Sequence, residues 1–197
     1  NEYSEENTKV SIKKAIKNTI FFLTEMNRTV QNDFSEEISI AIIERILQNF
    51  YMYFQAMYRS SIHKSSSFTQ DILESIQICN EYDLQRMLYS LLLPVFPTIR
   101  QEVDSDNGYK GMRFDIYLKE IHLVIETKCT RKNLSEKQLT EELGADIFHY
   151  RAKTIFILVF DKNCIIKNPE ALKEAFKRDY ENDGKTVKLF ITQPIKL

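Results

Sequence analysis

Asp115 is followed, after ten residues, by Glu126-Thr127-Lys128, so two carboxylates and an amine fall within a short stretch of chain. Brought together away from water, the two acids would repel, and each isolated charge would be costly to bury. A divalent cation offsets that repulsion. Carboxylate oxygens are hard ligands that suit Mg²⁺ or Mn²⁺, and the backbone carbonyl of Thr127 adds a further oxygen. An amine such as Lys128, beside a bound cation, can orient or activate a water and stabilise charge on a phosphate oxygen. The chemistry written in these residues is metal-assisted phosphodiester hydrolysis.

Those groups need a hairpin to position them. Met112, Phe114, Ile116 and Leu118 alternate with other residues and read as a strand. Lys119-Glu120 reads as a tight connection, and Ile121, Leu123, Val124 and Ile125 as the next strand. A two-residue connection predicts antiparallel neighbours, with Asp115 opposite about residue 124 and Glu126 within diagonal reach. Glu126 and Lys128 have the same parity and share a face. His122, in the same strand, reads as an ordinary strand histidine.

Around the hairpin the pattern alternates between helix and strand. Glu81 to Leu93 predicts a helix, stopped by Pro94 and Pro97. Ile99 to Val103 predicts a short strand, and residues 104–108 a turn. Ser135 caps a helix to Arg151, with Leu139, Leu143, Ile147 and Tyr150 on its inner side. Asp146 and Tyr150, one turn apart there, have two readings, support of the site and a helix-surface pair, of which the second is preferred. Thr154 to Phe160 is a strand covered on both faces, Pro169 opens a helix to about 182, and Thr186 to Thr192 is a last strand.

The first 62 residues read as helical, over 8–27 and 36–59, too little to be stable unless packed on the other half, a second copy or further sequence. The aromatic stripe Phe50-Tyr51-Tyr53-Phe54-Tyr58 reads as core or interface. Arg59-Ser60-Ser61-Ile62-His63 reads as solvated linker, running into Ser65-Ser66-Ser67 and a short helix at 69–77. The expected division is a helical region at 1–62 for dimerisation or substrate placement, a linker and short helix at 63–77, and a catalytic domain at 78–197.

Composition sets limits. Lys plus Arg is 27 and Asp plus Glu is 28, a net charge of −1, which excludes a blanket basic coat but not a local basic cleft. Residues 81–197 hold 19 basic and 18 acidic groups, several of the acids being the proposed cation ligands. Four Gly and four Pro exclude Gly-rich or long disordered architectures. Three scattered cysteines fit reduced thiols in the cytoplasm, and they and the three histidines lack zinc-ligand spacing. No apolar run reaches the ~20 residues of a membrane span. The acidic, polar start shows no signal-peptide pattern, and a chain opening on Asn rather than Met is expected to be a fragment.

With its elements in this order, the chain resembles the PD-(D/E)xK nuclease superfamily, in the restriction-endonuclease-like branch of type II restriction enzymes and phage-defence proteins. The resemblance is carried by Phe114-Asp115, Glu126-Thr127-Lys128 and their context: the acidic helix from Glu81, Arg100-Gln101-Glu102, Gly111-Met112-Arg113, Leu143-Gly144-Ala145-Asp146 and Phe156 to Asp161. It covers roughly residues 78–192. It implies an α/β (α+β) fold, an N-terminal helical region followed by a mixed-sheet core flanked by helices. Asp115 and Glu126 would be metal ligands and Lys128 the catalytic lysine. Glu81 would be the extra carboxylate, with Glu102 on the adjacent strand its rival. Arg113, Arg131 and Lys132 are candidates for phosphate contacts. The expectation is a Mg²⁺- or Mn²⁺-dependent endonuclease acting on double-stranded DNA in restriction or phage defence, cytoplasmic, homodimeric and without a membrane anchor. Two other readings stand beside it: a non-catalytic nucleic-acid-binding or protein-interaction module retaining the fold, and a helical interaction protein.

Overall fold

In a computed structural model, residues 13–14, 16–21, 34–59, 61–104, 113–150, 152–181 and 184–194 are described. Residues 13–14 and 16–21 are helical; the rest of the helix expected over 8–27 lies outside the described residues, as do most of the turn at 104–108, Met112 and the side chains of Phe54, Tyr58 and Arg59.

Ser35 begins helix α1 (Glu36–Gln48) by accepting the Ile38 N–H, with Glu36 and Glu37 in the first turn favouring the positive end of the helix dipole. The single helix expected over 36–59 is broken at Asn49. Its side chain donates to the Arg45 carbonyl at 2.8 Å and its backbone turns out of helical geometry, the local competition that makes Asn a poor interior helix residue. Helix α2 (Phe50–Arg59) then begins, and α3 (Gln70–Ser75) follows, capped by Thr69.

Helix α4 (Glu81–Leu92) opens on a capping box. Asp83 N–H donates to Asn80 Oδ1 at 3.0 Å, while Asn80 and Cys79 N–H both donate to Asp83 Oδ2. That box fixes where Glu81 emerges. Strands β1 (Arg100–Asp104) and β3 (Leu123–Cys129) each pair antiparallel with β2 (Arg113–Leu118) between them.

The hairpin differs from its expected form. Lys119–Ile121 make a turn of 3₁₀ helix, and His122 lies in the turn, not the strand, with φ 47°. The longer connection moves the register by two positions: Ile116 pairs with Ile125 and Tyr117 with Val124. Continuing that register, Asp115 stands level with Glu126 instead of diagonal to it.

Helix α5 (Glu136–His149) starts on the Ser135–Gln138 capping box, and β4 (Thr154–Phe160), α6 (Pro169–Glu181) and β5 (Thr186–Thr192) complete the chain. The sheet order is β1-β2-β3-β4-β5, antiparallel from β1 to β3 and parallel from β3 to β5. The fold is thus the mixed α/β sheet flanked by helices that the element order predicts.

Each face of the sheet has its own core. Leu123, Ile125, Phe156 and Leu158 on one face pack with Leu84 and Leu88 of α4 and with Ile43, Leu47 and Phe50 from the N-terminal helices. Val124, Ile155, Ile157 and Val159 on the other pack with Leu139, Leu143 and Ile147 of α5 and Phe176 of α6. Each fully buried aliphatic side chain contributes about 1.5–3 kcal/mol. Because β3 alternates faces, Glu126 and Lys128 project with Val124 toward α5, and α4 closes the opposite face.

Candidate active site

Beyond Ile116–Ile125 no backbone pairing between β2 and β3 continues, and the gap between them is filled by side chains. Asp115 Oδ2 accepts two hydrogen bonds from one residue of β3, from Thr127 N–H at 2.8 Å and from Thr127 Oγ1 at 2.6 Å. The N–H and C=O of a strand residue point to the same side, so the Thr127 carbonyl also faces this gap. Gln85, one turn into α4 from Glu81, donates to the Asp115 carbonyl at 2.8 Å and ties α4 to β2.

Glu126 is buried, at 5 % exposure, and both its oxygens are engaged. Lys128 Nζ lies 3.0 Å from Oε1, and the Tyr150 hydroxyl donates to Oε2. Lys128 also reaches Asp146, 2.8 Å from Oδ2. Asp146 and Tyr150 therefore join the site, against the reading of a helix-surface pair. Leu143 and Ile147 bury the same side of α5 on the sheet, which presses these two polar residues against the even-numbered face of β3. Their four-residue spacing beside a buried stripe was the available signal, but it did not reveal which strand the helix would cover. Lys185 donates to the Ile147 and Tyr150 carbonyls at 2.9 and 2.8 Å, capping the end of α5 and holding Tyr150 in place.

Crowding three acids shows in their proton affinities. Burial, then the nearby Asp115 charge, pushes Glu126 up to about 7, against the pull of Lys128 and the Tyr150 hydroxyl. Burial raises Asp115 too, opposed by the two Thr127 bonds. Glu81 is raised by burial, with the Lys128 ammonium and the Cys129 backbone N–H pulling the other way. Burial works to lower Lys128, but the carboxylates of Glu126, Asp146 and Glu81 outweigh it and hold the amine above its ordinary range. Burial and Glu126 together keep Tyr150 protonated, as its role of donor requires.

The other expected residues lie further out. Glu102 stands level with Asp115 in the β1–β2 register, but its carboxylate pairs with Arg113 at 2.9 Å and both side chains are exposed. Arg131 pairs with Glu142 at 2.6 Å, also exposed, and Lys132 is exposed in the same loop. Exposed pairs of this kind are weak and give way readily to a stronger anion. His122 lies at the turn, the far end of the hairpin from Glu126, near the Tyr117 hydroxyl at 3.4 Å. His63 accepts the Ser65 N–H at 3.2 Å in an exposed loop.

Among the described residues no three His, Cys, Asp or Glu side chains stand in metal-holding geometry. Mg²⁺ does not need three, since it is commonly bound by one or two carboxylates and keeps several waters. Asp115, whose second oxygen is not used by Thr127, Glu126 and the Thr127 carbonyl form a hard-oxygen set that fits such an ion.

A family model of the DpnII-MboI restriction endonucleases matches residues 41–194. The chain belongs to the DpnII-MboI restriction endonuclease family. Its membership makes it a DNA endonuclease of restriction, in the PD-(D/E)xK-like class. The DpnII-MboI match takes in both core clusters, α1 included from residue 41, and every residue of the gap between β2 and β3. No curated protein and no solved structure matches the chain. Among the described residues, no helix is long and apolar enough to cross a membrane.

Proposed function

We propose that this DpnII-MboI family member cuts double-stranded DNA in a Mg²⁺- or Mn²⁺-dependent reaction, as a cytoplasmic homodimer serving restriction and phage defence. The observation that carries the reading is the meeting of Asp115, Glu126 and Lys128 in one buried gap, within the matched region. Asp115, Glu126 and the Thr127 carbonyl would hold the ion. Glu81 is favoured over Glu102 as the further carboxylate, because it is partly buried within the field of Lys128 and Asp115, whereas Glu102 is paired with Arg113 at the exposed edge. The bound cation supplies Lewis-acid polarisation of a phosphate oxygen and a more acidic water.

The chain's own residues do the rest. The carboxylates around Lys128 favour its ammonium form, so it acts as a cation and hydrogen-bond donor toward the phosphate and the attacking water. Glu126 and Asp146 fix where its ammonium sits. Tyr150 orients Glu126 through Oε2, and Thr127 orients Asp115 through Oδ2. Such outer partners fix ligand geometry and tune the ion. Arg113, Arg131 and Lys132 on the exposed rim contact flanking phosphates, Arg113 and Arg131 exchanging their present carboxylate partners for DNA. A double-strand cut needs two such sites, which a twofold dimer provides.

The test is plasmid cleavage with Mg²⁺, with Mn²⁺ and with chelator, for the full chain and for Asp115→Ala and Lys128→Ala. Cleavage that requires the ion and is lost in both variants is expected. Cleavage that survives either substitution unchanged would show that the site is elsewhere.

A further inference from the structure

A cavity of about 620 Å³ opens at the carboxyl ends of β4 and β5, walled by α2, the segment after α3 and the end of the sheet. It is separate from the gap that holds Glu126 and Lys128, since it lies on the α4 side of the sheet. Both nevertheless open at the same end of the strands, where ligands of open α/β sheets bind. Phe160, in its wall, pairs with Cys129 in the sheet, one residue beyond Lys128. Strands lie about 4.8 Å apart, so the wall from Phe160 to Thr192 runs about 5–10 Å from β3. Lys162 joins the two sites: it lines the cavity and donates to the carbonyl of Cys79, two residues before Glu81.

The lining is apolar surface with a few convergent amides. Tyr51 and Phe160 contribute rings. Among the described residues, the Gln55 carboxamide has no hydrogen-bond partner. Gln193 spends its nitrogen on Asp161 Oδ2 and the Ile166 carbonyl, at 2.8 and 2.9 Å, and Gln77 spends its own on the Glu74 carbonyl at 2.9 Å. What remains of the amides is one complete carboxamide and two acceptor oxygens, beside the Glu74 carboxylate and Thr192, which also line the cavity. An amide offers a paired donor and acceptor to a base edge, and surplus acceptors favour a base bearing an exocyclic amine. A base stacked in duplex shows a groove only its edge, whereas a chamber with rings and amides takes the whole heterocycle.

We infer that this cavity receives a nucleobase with an exocyclic amine, extruded from the bound DNA near the scissile phosphate. The inference rests on the nuclease reading above and adds a subsite to it. Lys162 holds the backbone between the two positions, Tyr51 and Phe160 cover the base, and Gln55 reads its edge.

The experiment begins by mapping the cleavage site on plasmid. Duplexes around it then carry 2-aminopurine at one position at a time, bound to the Lys128→Ala chain. Anisotropy reports binding and 2-aminopurine emission reports unstacking. A rise at one position is expected, lost when Gln55→Ala or Tyr51→Ala is added while anisotropy still shows binding. In the otherwise intact enzyme, Gln55→Ala lowers discrimination at that base by about ten- to a hundredfold. Binding without a rise at any position, or a rise that survives both added substitutions, overturns the pocket and leaves the nuclease reading standing. Failure to cut any DNA overturns both. Tyr51 and Gln55 are not fully buried, so their replacement leaves the fold intact, which circular dichroism checks.

Discussion

The Lys128 ammonium lies 2.8 Å from the Asp146 carboxylate, so a residue of α5 holds the amine at the end of β3. Asp146→Ala removes that hold while Glu126 still pairs with Lys128. Misplacing a reacting group by about 1 Å costs about a hundredfold. Single-turnover cleavage at saturating Mg²⁺ is expected to slow by about ten- to a hundredfold, with thermal stability nearly unchanged because Asp146 is partly exposed. A rate equal to that of the unaltered chain would show that Asp146 does not position Lys128.

Tyr150→Phe strips the donor from Glu126 Oε2 and leaves a buried carboxylate oxygen unbonded. The expected stability loss is about 1–3 kcal/mol in urea unfolding. The lost bond had lowered the proton affinity of Glu126, so its removal raises that affinity further and makes an ion compete harder with the proton. Half-maximal cleavage should need about ten times more Mg²⁺ at neutral pH. A variant with unaltered stability and Mg²⁺ requirement would place Tyr150 outside the site.

With chelator present, stability should fall as pH rises. Glu126 binds its proton up to about pH 7 when folded, but only up to its ordinary value of 4.5 when unfolded. Between those values the folded state holds more protons, so raising the pH favours unfolding. Asp115 and Glu81 are shifted in the same direction and add to the slope. Melting temperature measured from pH 5 to pH 8 is expected to decline. The decline should be shallower in Glu126→Gln and in the presence of Mg²⁺, and a flat profile would contradict the assigned burial of the acids.

Asp161, fully buried, gathers four donors: Thr130 Oγ1, the N–H groups of Ile165 and Ile166, and the Gln193 amide, all within 3.0 Å. It ties together the exits of β3, β4 and β5. Asp161→Ala leaves those donors unpaired and is expected to cost about 3 kcal/mol or more. Urea unfolding measures it, and a loss under 1 kcal/mol would mean that the knot is dispensable.

Much of this was legible along the chain because its causes are local. Alternation marks the faces of β2 and β3, and parity alone puts Glu126 beside Lys128, as their 3.0 Å contact shows. Ser135 and Thr154–Phe160 announce a helix cap and a doubly covered strand in the same way. The errors are local too, but energetic. The Asn49 side-chain bond to Arg45 broke a helix whose apolar stripe continues without interruption. A 3₁₀ turn lengthened the hairpin by two residues and brought Asp115 level with Glu126.

The sequence by itself therefore determined the sheet-and-helix order and the Asp115, Glu126, Lys128 constellation, since strand period and chain proximity act over a few residues. Only the tertiary structure decided that Asp146 and Tyr150 meet Lys128 and Glu126, that Glu102 pairs with Arg113 at the surface, and that Gln55 and Gln193 share a cavity. Those relations join segments far apart in the chain, and they follow from how the two apolar cores seat α4 and α5 on opposite faces of the sheet. Burial of that kind is non-directional, so it appears only once the whole core has closed.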